Sequence, residues 1–198
     1  MKKRDRGFTL VELIIVITIF AVLLGIMIPS LNSIPGFRVN RATGSITAAL
    51  DKTKTKASSR LVGEMKLEKT SDGYYISYYL DKGKAGAESD VRQDQPEKIA
   101  PAGTRIIYTT DDGAEHEMNE GDSIVLTYDR ATGGFLPLQE NVWTQEAILA
   151  VLAQGEDIPL TRTGACCTQI TVRGGKRYKT IRLNTATGKY EVTSGWIS

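Results

Sequence analysis

Residues 8–28 read FTLVELIIVITIFAVLLGIMI, an almost unbroken apolar run close to the start of the chain. The polar residues within it are Thr9, Glu12 and Thr18. A helix of this length measures about 30 Å, which matches the hydrocarbon thickness of a bilayer. The run therefore predicts a membrane-spanning helix near the amino terminus.

The segment before the run, residues 1–7, is short and basic. It reads MKKRDRG and carries a net charge of +3, whereas the whole chain carries +2. The basic excess thus belongs to this leader and gives no support to a basic, nucleic-acid-binding domain. Because basic flanks stay in the cytoplasm, the leader is predicted to remain inside and the rest of the chain to be exported.

Two general interpretations of the run explain it incompletely. A secretory signal peptide has a shorter apolar core, of about 7–15 residues, followed by a small-x-small cleavage site; the sequence PSLNSIPG after the run has no such pair. A plain membrane anchor explains the length but not Glu12, because an ionised carboxylate near the bilayer centre costs about 3 kcal/mol. A position near the cytoplasmic end lowers that cost without explaining the residue.

The basic leader followed by GFTLVE at residues 7–12 resembles the signature that prepilin peptidases cut and N-methylate in type IV pilin-like proteins. The resemblance implies cleavage between Gly7 and Phe8, with Phe8 as the methylated amino terminus. Glu12 then becomes the fifth residue of the mature chain, and Pro29 stands where many members have a helix-bending proline. Gly25 departs slightly, since the family often has a glycine a few residues earlier.

The implied cut would have an electrostatic consequence. It creates an α-amino group at Phe8, four residues from Glu12. In a filament, Glu12 of one subunit can pair with the Phe8 amine of its neighbour, and a low dielectric penalises every arrangement that leaves either charge unmatched. The pair would set axial register. The resemblance thus implies three partners: a prepilin peptidase, other pilin subunits and the inner membrane.

A second helical segment follows the run. Pro29, Pro35 and Gly36 are expected to interrupt the helix. Beyond them, one weakly apolar stripe recurs at spacings of three and four: Val39, Ala42, Ile46, Ala49, Thr53 and Ala57. Basic residues lie largely off this stripe: Arg38, Arg41, Lys52, Lys54, Lys56 and Arg60. A solvated basic face is the expected role, and binding of anionic lipid or nucleic acid is the alternative.

The remainder of the chain predicts a β-rich domain. A hairpin turns at Ser71-Asp72-Gly73, and a polar loop covers residues 81–103. Further strands are predicted at 104–110, 123–128, 168–173, 177–183 and 189–193, and one helix at 144–154. The fold class is therefore α+β: a long N-terminal helix packed on a small antiparallel β-rich domain of two sheets. The predicted divisions are leader 1–7, filament-core helix 8–30, outer half of the helix 31–61 and globular domain 62–198.

Two turns repeat one another at residues 129–134, DRATGG, and 184–189, NTATGK. Both follow the pattern Asx-x-Ala-Thr-Gly, which suits a turn closed by glycine at positive φ. The second lies in KTIRLNTATGKYEV, which resembles the C-terminal hairpin of H-type minor pseudopilins of type II secretion. That resemblance implies a minor filament subunit.

No catalytic set stands out. His116 is the only histidine and lies in a charged run, so a solvated turn or edge is expected. Cys166 and Cys167 are adjacent and are expected to be free strand residues that point to opposite faces, with a strained vicinal disulfide as the alternative. A cysteine–histidine nucleophile would need a contact that the sequence does not show. We expect no enzymatic activity and no cofactor.

Four acidic residues are candidate calcium ligands: Asp111, Asp112, Glu115 and Asp122. They miss the EF-hand spacing, so turns are the expected role and no metal site is predicted.

The sequence thus predicts a structural subunit, minor in type, of a type IV pilus or a type II secretion pseudopilus. The mature protein is expected in the cytoplasmic membrane with its domain outside, and then in an extracellular or periplasmic filament. The alternative is a competence-type minor pilin whose domain binds DNA through the basic residues of 38–60 and Lys176, Arg177, Lys179 and Arg182. The cargo and the kind of filament stay open.

Overall fold

The computed structural model describes residues 9–31, 34–59, 62–81, 92–93, 95–139, 150, 153–154 and 164–197. The chain forms two compact units, Met1–Ile34 and Pro35–Ser198. The first contains one helix, and the second contains most of another helix and all the strands. The predicted leader and Phe8 lie outside the described residues.

Helix α1 spans Leu10–Leu31. Its sequence is rich in leucine and isoleucine, and Thr9 stands just before it. Among the described residues, no helix meets the length and apolarity needed to cross a membrane. The membrane-spanning part of the predicted fold is therefore not supported by the structure.

Helix α2 spans Ile34–Ser59. All six residues of the predicted apolar stripe are buried, from Val39 to Ala57. Pro29 lies inside α1, and Pro35 and Gly36 lie in the first turn of α2, so these three residues are themselves helical, while residues 32 and 33 between the two helices lie outside the described residues. A proline in a first turn is tolerated because the amide hydrogen there has no intrahelical acceptor. The bend assigned to Pro29 stays a prediction.

The part of the chain that the structure describes has ten strands after α2, and all pairings between them are antiparallel. Their bounds are Val62–Thr70 (β1), Gly73–Asp81 (β2), Arg92–Gln93 (β3), Glu97–Pro101 (β4), Arg105–Thr110 (β5), Glu115–Glu117 (β6), Ser123–Thr127 (β7), Cys167–Gly174 (β8), Arg177–Asn184 (β9) and Lys189–Trp196 (β10). One sheet has the order β3-β2-β1-β7, with β4 also paired to β2. The other has the order β10-β9-β8-β5-β6.

One hydrophobic core joins α2 to both sheets. Ile46 and Leu50 of α2 are buried in the same cluster as Met65 of the first sheet and Ile170 of the second. Tyr74 on β2 ties the sheets together, because its hydroxyl accepts a hydrogen bond from the Ile106 backbone N–H at 3.3 Å. The α+β class and the two antiparallel sheets are thus confirmed.

Three strands occupy segments that were predicted to lack regular structure. Strands β3 and β4 lie within the predicted loop 81–103, and β6 lies in the polar segment after β5. All three are short, so pairing with a longer neighbour decides their conformation more than their own composition does. The predicted helix 144–154 falls mostly outside the described residues; positions 150 and 153 are helical.

Candidate functional site

Thr9 and Glu12 form a reciprocal cap at the start of α1. The Thr9 backbone N–H and its hydroxyl both donate to Glu12 Oε2, each at 3.0 Å. In return, the Glu12 backbone N–H donates to Thr9 Oγ1 at 3.2 Å. This is the capping box of a threonine followed three residues later by glutamate, and it satisfies amide hydrogens that a helix start leaves open.

The cap leaves part of the Glu12 carboxylate available. Both hydrogen bonds that the carboxylate accepts from Thr9 go to Oε2, and Oε1 accepts no hydrogen bond from the described residues. A negative charge at the N-terminus of a helix is also favoured by the helix dipole. The carboxylate is therefore held in one orientation with an oxygen open to an additional donor.

Between Leu10 and Leu24, the remaining surface of α1 is apolar on every side. The exposed fraction of its large apolar side chains between Leu10 and Leu24 runs from 43% to 74%. The Thr18 hydroxyl donates a hydrogen bond to the Ile14 carbonyl at 2.8 Å, so it has a partner within the helix. All three polar residues of the run thus bond within the helix, and the outer surface requires an apolar environment or a packing partner.

The two repeated turns of the second unit lie against each other. Each has glycine at positive φ, 71° at Gly133 and 59° at Gly188, as the sequence predicted. Each glycine N–H donates at 2.8 Å to the first residue of its turn, Asp129 or Asn184. Phe135 N–H also donates to the Thr185 carbonyl at 2.7 Å, which joins the two turns directly.

Lys54 of α2 fastens the second turn to the helix. Its ammonium donates to the Thr187 carbonyl at 2.8 Å and to the Gly188 carbonyl at 3.1 Å. Tyr190, just after the turn, donates from its hydroxyl to Asp51 Oδ2 at 2.8 Å. The C-terminal hairpin is thereby bound to α2 through two residues one helical turn apart, Asp51 and Lys54.

The candidate nucleophiles are not brought together. His116 lies on the edge strand β6 and stacks on Tyr108 with ring centroids 5.0 Å apart. Cys167 lies on β8, and β5 separates the two strands, a distance of about 10 Å. Both cysteines are free thiols. Burial raises the pKa of Cys167 to about 12 and also raises the pKa of Cys166, so both thiols stay protonated near neutral pH.

Two of the four candidate calcium ligands, Asp112 and Asp122, accept hydrogen bonds within their own turns. Asp112 Oδ1 accepts bonds from the Thr110 hydroxyl at 2.5 Å and from the Ala114 N–H at 3.0 Å. These bonds lower the pKa of Asp112. Asp122 Oδ2 accepts from the Asn119 N–H at 2.7 Å. These hydrogen bonds are the kind that Asp makes in turns, so both carboxylates have a structural role there.

Sequence reasoning reached Glu12 as a site residue but missed Thr9. The signal was present, because TLVE at residues 9–12 has the threonine-x-x-glutamate spacing of a capping box. Gly7 and Phe8, the predicted cleavage and methylation sites, lie outside the described residues. Pro29 is within helix α1. The roles assigned to these residues stay predictions.

Residues 2–28 match the family described as the prokaryotic N-terminal methylation motif. The match includes the leader after Met1, Gly7, Phe8 and the whole of the apolar run. No curated protein and no solved structure matches the chain. The motif supports a type IV pilin-like prepilin that is processed by a prepilin peptidase and assembles with other pilins.

Proposed function

We propose that this chain is a minor structural subunit of a type IV pilus or a type II secretion pseudopilus. The match of residues 2–28 to the methylation motif carries the proposal. Two features of α1 support it: its apolar side chains are exposed on all sides, and its N-terminal end carries the capped Glu12.

Processing is the first step. A prepilin peptidase cuts between Gly7 and Phe8 and the Phe8 amine is methylated. The cut removes the basic leader and leaves a chain with a cationic amino terminus four residues before Glu12. The capping bonds from Thr9 already orient that carboxylate.

Assembly is the second step. Before it, α1 holds the chain in the cytoplasmic membrane with the domain outside; afterwards, neighbouring helices cover the same apolar surface. Glu12 Oε1 of one subunit accepts a hydrogen bond from the Phe8 amine of the next. Because an unmatched charge in an apolar filament core is strongly penalised, this contact selects one axial register.

The second unit carries the specific role of the subunit. The minor, H-type part of the proposal rests on the resemblance of residues 179–192 to the C-terminal hairpin of H-type pseudopilins. These residues form the β9–β10 hairpin, and Lys54 of α2 donates to its turn. We assign the domain to contacts with other subunits or with exported cargo. We assign it no catalytic role, since the protonated thiols and His116 lie on separate strands.

The competence-type alternative has weaker support. It needs the basic residues of 38–60 and of β9 and the turn before it (Lys176, Arg177, Lys179 and Arg182) to face DNA. Within the first group, Lys54 donates to backbone carbonyls and the Lys52 ammonium lies 3.5 Å from the centroid of the Tyr78 ring. Both cations are therefore engaged within the domain. Salt-dependent affinity for DNA would restore this alternative.

A processing experiment tests the proposal. The precursor is co-expressed with its prepilin peptidase as the natural sequence, as Gly7→Leu and as the control Gly44→Ala, a glycine with open space around its Cα. The natural sequence and the control should lose the leader, whereas Gly7→Leu should keep it. Removal of the leader from Gly7→Leu at the natural rate would contradict the proposed cleavage site.

A further inference from the structure

Few large apolar side chains are exposed among the described residues of the second unit. They are Phe37, Val192, Trp196 and Ile197. Phe37 is 70% exposed in the first turns of α2, and Trp196 is 67% exposed at the end of β10. A single exposed apolar side chain is ordinary, whereas several that come together at one place mark a contact surface.

The start of α2 and the end of the β9–β10 hairpin meet. A Cβ placed on Gly36 would lie 2.7 Å from Arg177 Cδ, and one on Gly175 would lie 3.1 Å from Pro35 Cβ. The Ile197 N–H donates to the Lys176 carbonyl at 2.8 Å. This end of the domain therefore combines three chain segments in one place.

Basic residues accompany the aromatic groups on this end, and one of them, Arg177, contacts Trp196. The Arg177 guanidinium carbon lies 4.3 Å from the centroid of the Trp196 ring, and Arg38 and Lys176 are exposed. Residues 34–50 and 174–190 contain seven Lys or Arg residues and no Asp or Glu. We define the Trp196 surface as Phe37, Arg38, Lys176, Arg177, Trp196 and Ile197.

We propose that the Trp196 surface rests on the anionic lipid surface of the membrane before the subunit enters a filament. Trp side chains prefer the interface between headgroups and hydrocarbon, and nearby Lys and Arg are attracted to anionic lipid. Aliphatic Ile197 favours a lipid surface over nucleic acid, because nucleic acids are bound through charge on the backbone and through stacking of bases on aromatic rings and Arg.

The position of this surface in the chain agrees with the proposal, which rests on the proposed function of α1. Ile34, the first residue of α2, follows Leu31 of α1 by only three positions. A membrane that holds α1 therefore keeps the start of α2 close to its surface. The headgroup contact would hold the domain against the membrane until assembly draws the subunit out.

Fluorescence of Trp196 provides the test. Trp143 and Trp196 are the two tryptophans, so Trp143→Phe leaves Trp196 as the single probe. The processed chain, residues 8–198, is reconstituted in phosphatidylcholine vesicles with and without about one quarter phosphatidylglycerol, each containing lipid brominated on its acyl chains. We expect quenching about twofold stronger with the anionic lipid, and its loss in high salt.

A charge-matched pair of variants identifies the surface. Arg38→Gln with Lys176→Gln should remove at least half of the anionic-lipid quenching. Arg130→Gln with Lys189→Gln removes the same charge at the repeated turns, at the other end of the β9–β10 hairpin, and should leave quenching unchanged. Equal losses in the two double variants would overturn the assignment to the Trp196 surface.

The remaining outcomes are equally decisive. A chain that floats with the vesicles while Trp196 remains unquenched overturns this proposal alone and leaves the proposed function intact. A chain that floats with neither vesicle contradicts the anchoring role of α1 and overturns both. Equal quenching in zwitterionic and anionic vesicles, a response of Trp196 to an oligonucleotide in place of lipid, or its burial by self-association each overturns the lipid assignment.

Discussion

Glu12 Oε2 accepts two hydrogen bonds from Thr9, one from the backbone N–H and one from the hydroxyl, both at 3.0 Å. The pair caps the N-terminal end of the apolar helix and orients the carboxylate. Glu12, whose charge is unfavourable in an apolar run, thus has a hydrogen-bonding partner within the helix. The same arrangement leaves Oε1 available for an intermolecular contact. Local capping and filament register can therefore depend on one side chain.

Replacing Glu12 separates these two roles from processing. In Glu12→Gln the side chain keeps its size but cannot neutralise a neighbouring Phe8 amine. An unpaired buried charge costs about 3 kcal/mol or more, which corresponds to over a hundredfold in an equilibrium constant. We expect normal leader removal and at least a tenfold loss of the subunit from sheared filaments, measured by quantitative blotting.

Glu120→Gln is the matched control for that experiment, because Glu120 is an exposed carboxylate of the second unit. Its filament content should equal that of the natural sequence. If the Glu12→Gln subunit entered filaments at the level of the natural sequence, the carboxylate charge would not set the axial register.

The contact between the repeated turns predicts a strong effect at Gly188. Its φ is 59°, and a Cβ there would collide with the Gly133 carbonyl oxygen and lie 2.8 Å from a Tyr128 ring carbon. Gly188→Ala should therefore lower the free energy of unfolding by about 3 kcal/mol, from positive φ together with overpacking. Urea unfolding of the processed chain in detergent, followed by circular dichroism, measures the change.

Gly113→Ala gives the control, since Gly113 also has positive φ, 85°, but open space around it. It should cost only about 1 kcal/mol. Similar losses in the two variants would mean that the packing of one turn on the other adds nothing to stability.

The β1–β2 turn predicts a pH effect at Asp72. Hydrogen bonds from the Lys98 ammonium, the Thr70 hydroxyl and the Tyr75 hydroxyl hold the pKa of Asp72 well below its usual value. A carboxyl with a depressed folded-state pKa stabilises the fold above its unfolded pKa of about 3.9, and that stabilisation is lost as the pH falls towards the folded value.

The natural sequence should therefore be more stable than Asp72→Asn at pH 7, by a margin that stays constant down to about pH 5 and shrinks below about pH 4. Thermal unfolding across this pH range measures the margin, with Asp111→Asn, an exposed carboxyl on the next hairpin, as the control. A margin that grew in acid would reverse the sign of the proposed linkage.

Local sequence signals predicted much of this fold. The stripe from Val39 to Ala57 has the spacing of a helix face, and all six of its members are buried. The glycines of the repeated turns have the positive φ that their pattern requires. In each case the deciding interactions lie within a few residues, so the sequence pattern carries them.

What sequence reasoning missed depends on partners far away in the chain. Strand β4 exists through its pairing with β2, and β6 through its pairing with β5, while their own residues resemble a loop. The contact of Phe135 with Thr185 joins segments 50 residues apart. The Trp196 surface likewise forms only when β10 returns beside α2, although its separate residues are visible in the sequence.

The mature amino terminus decides whether the chain becomes a filament subunit through prepilin processing. The protein is purified from cells that contain its prepilin peptidase, and its N-terminal peptide is sequenced by mass spectrometry. We expect a chain that begins at N-methylated Phe8, without residues 1–7. A mature protein that retains the leader, or that begins at any other residue, would rule out prepilin processing at Gly7.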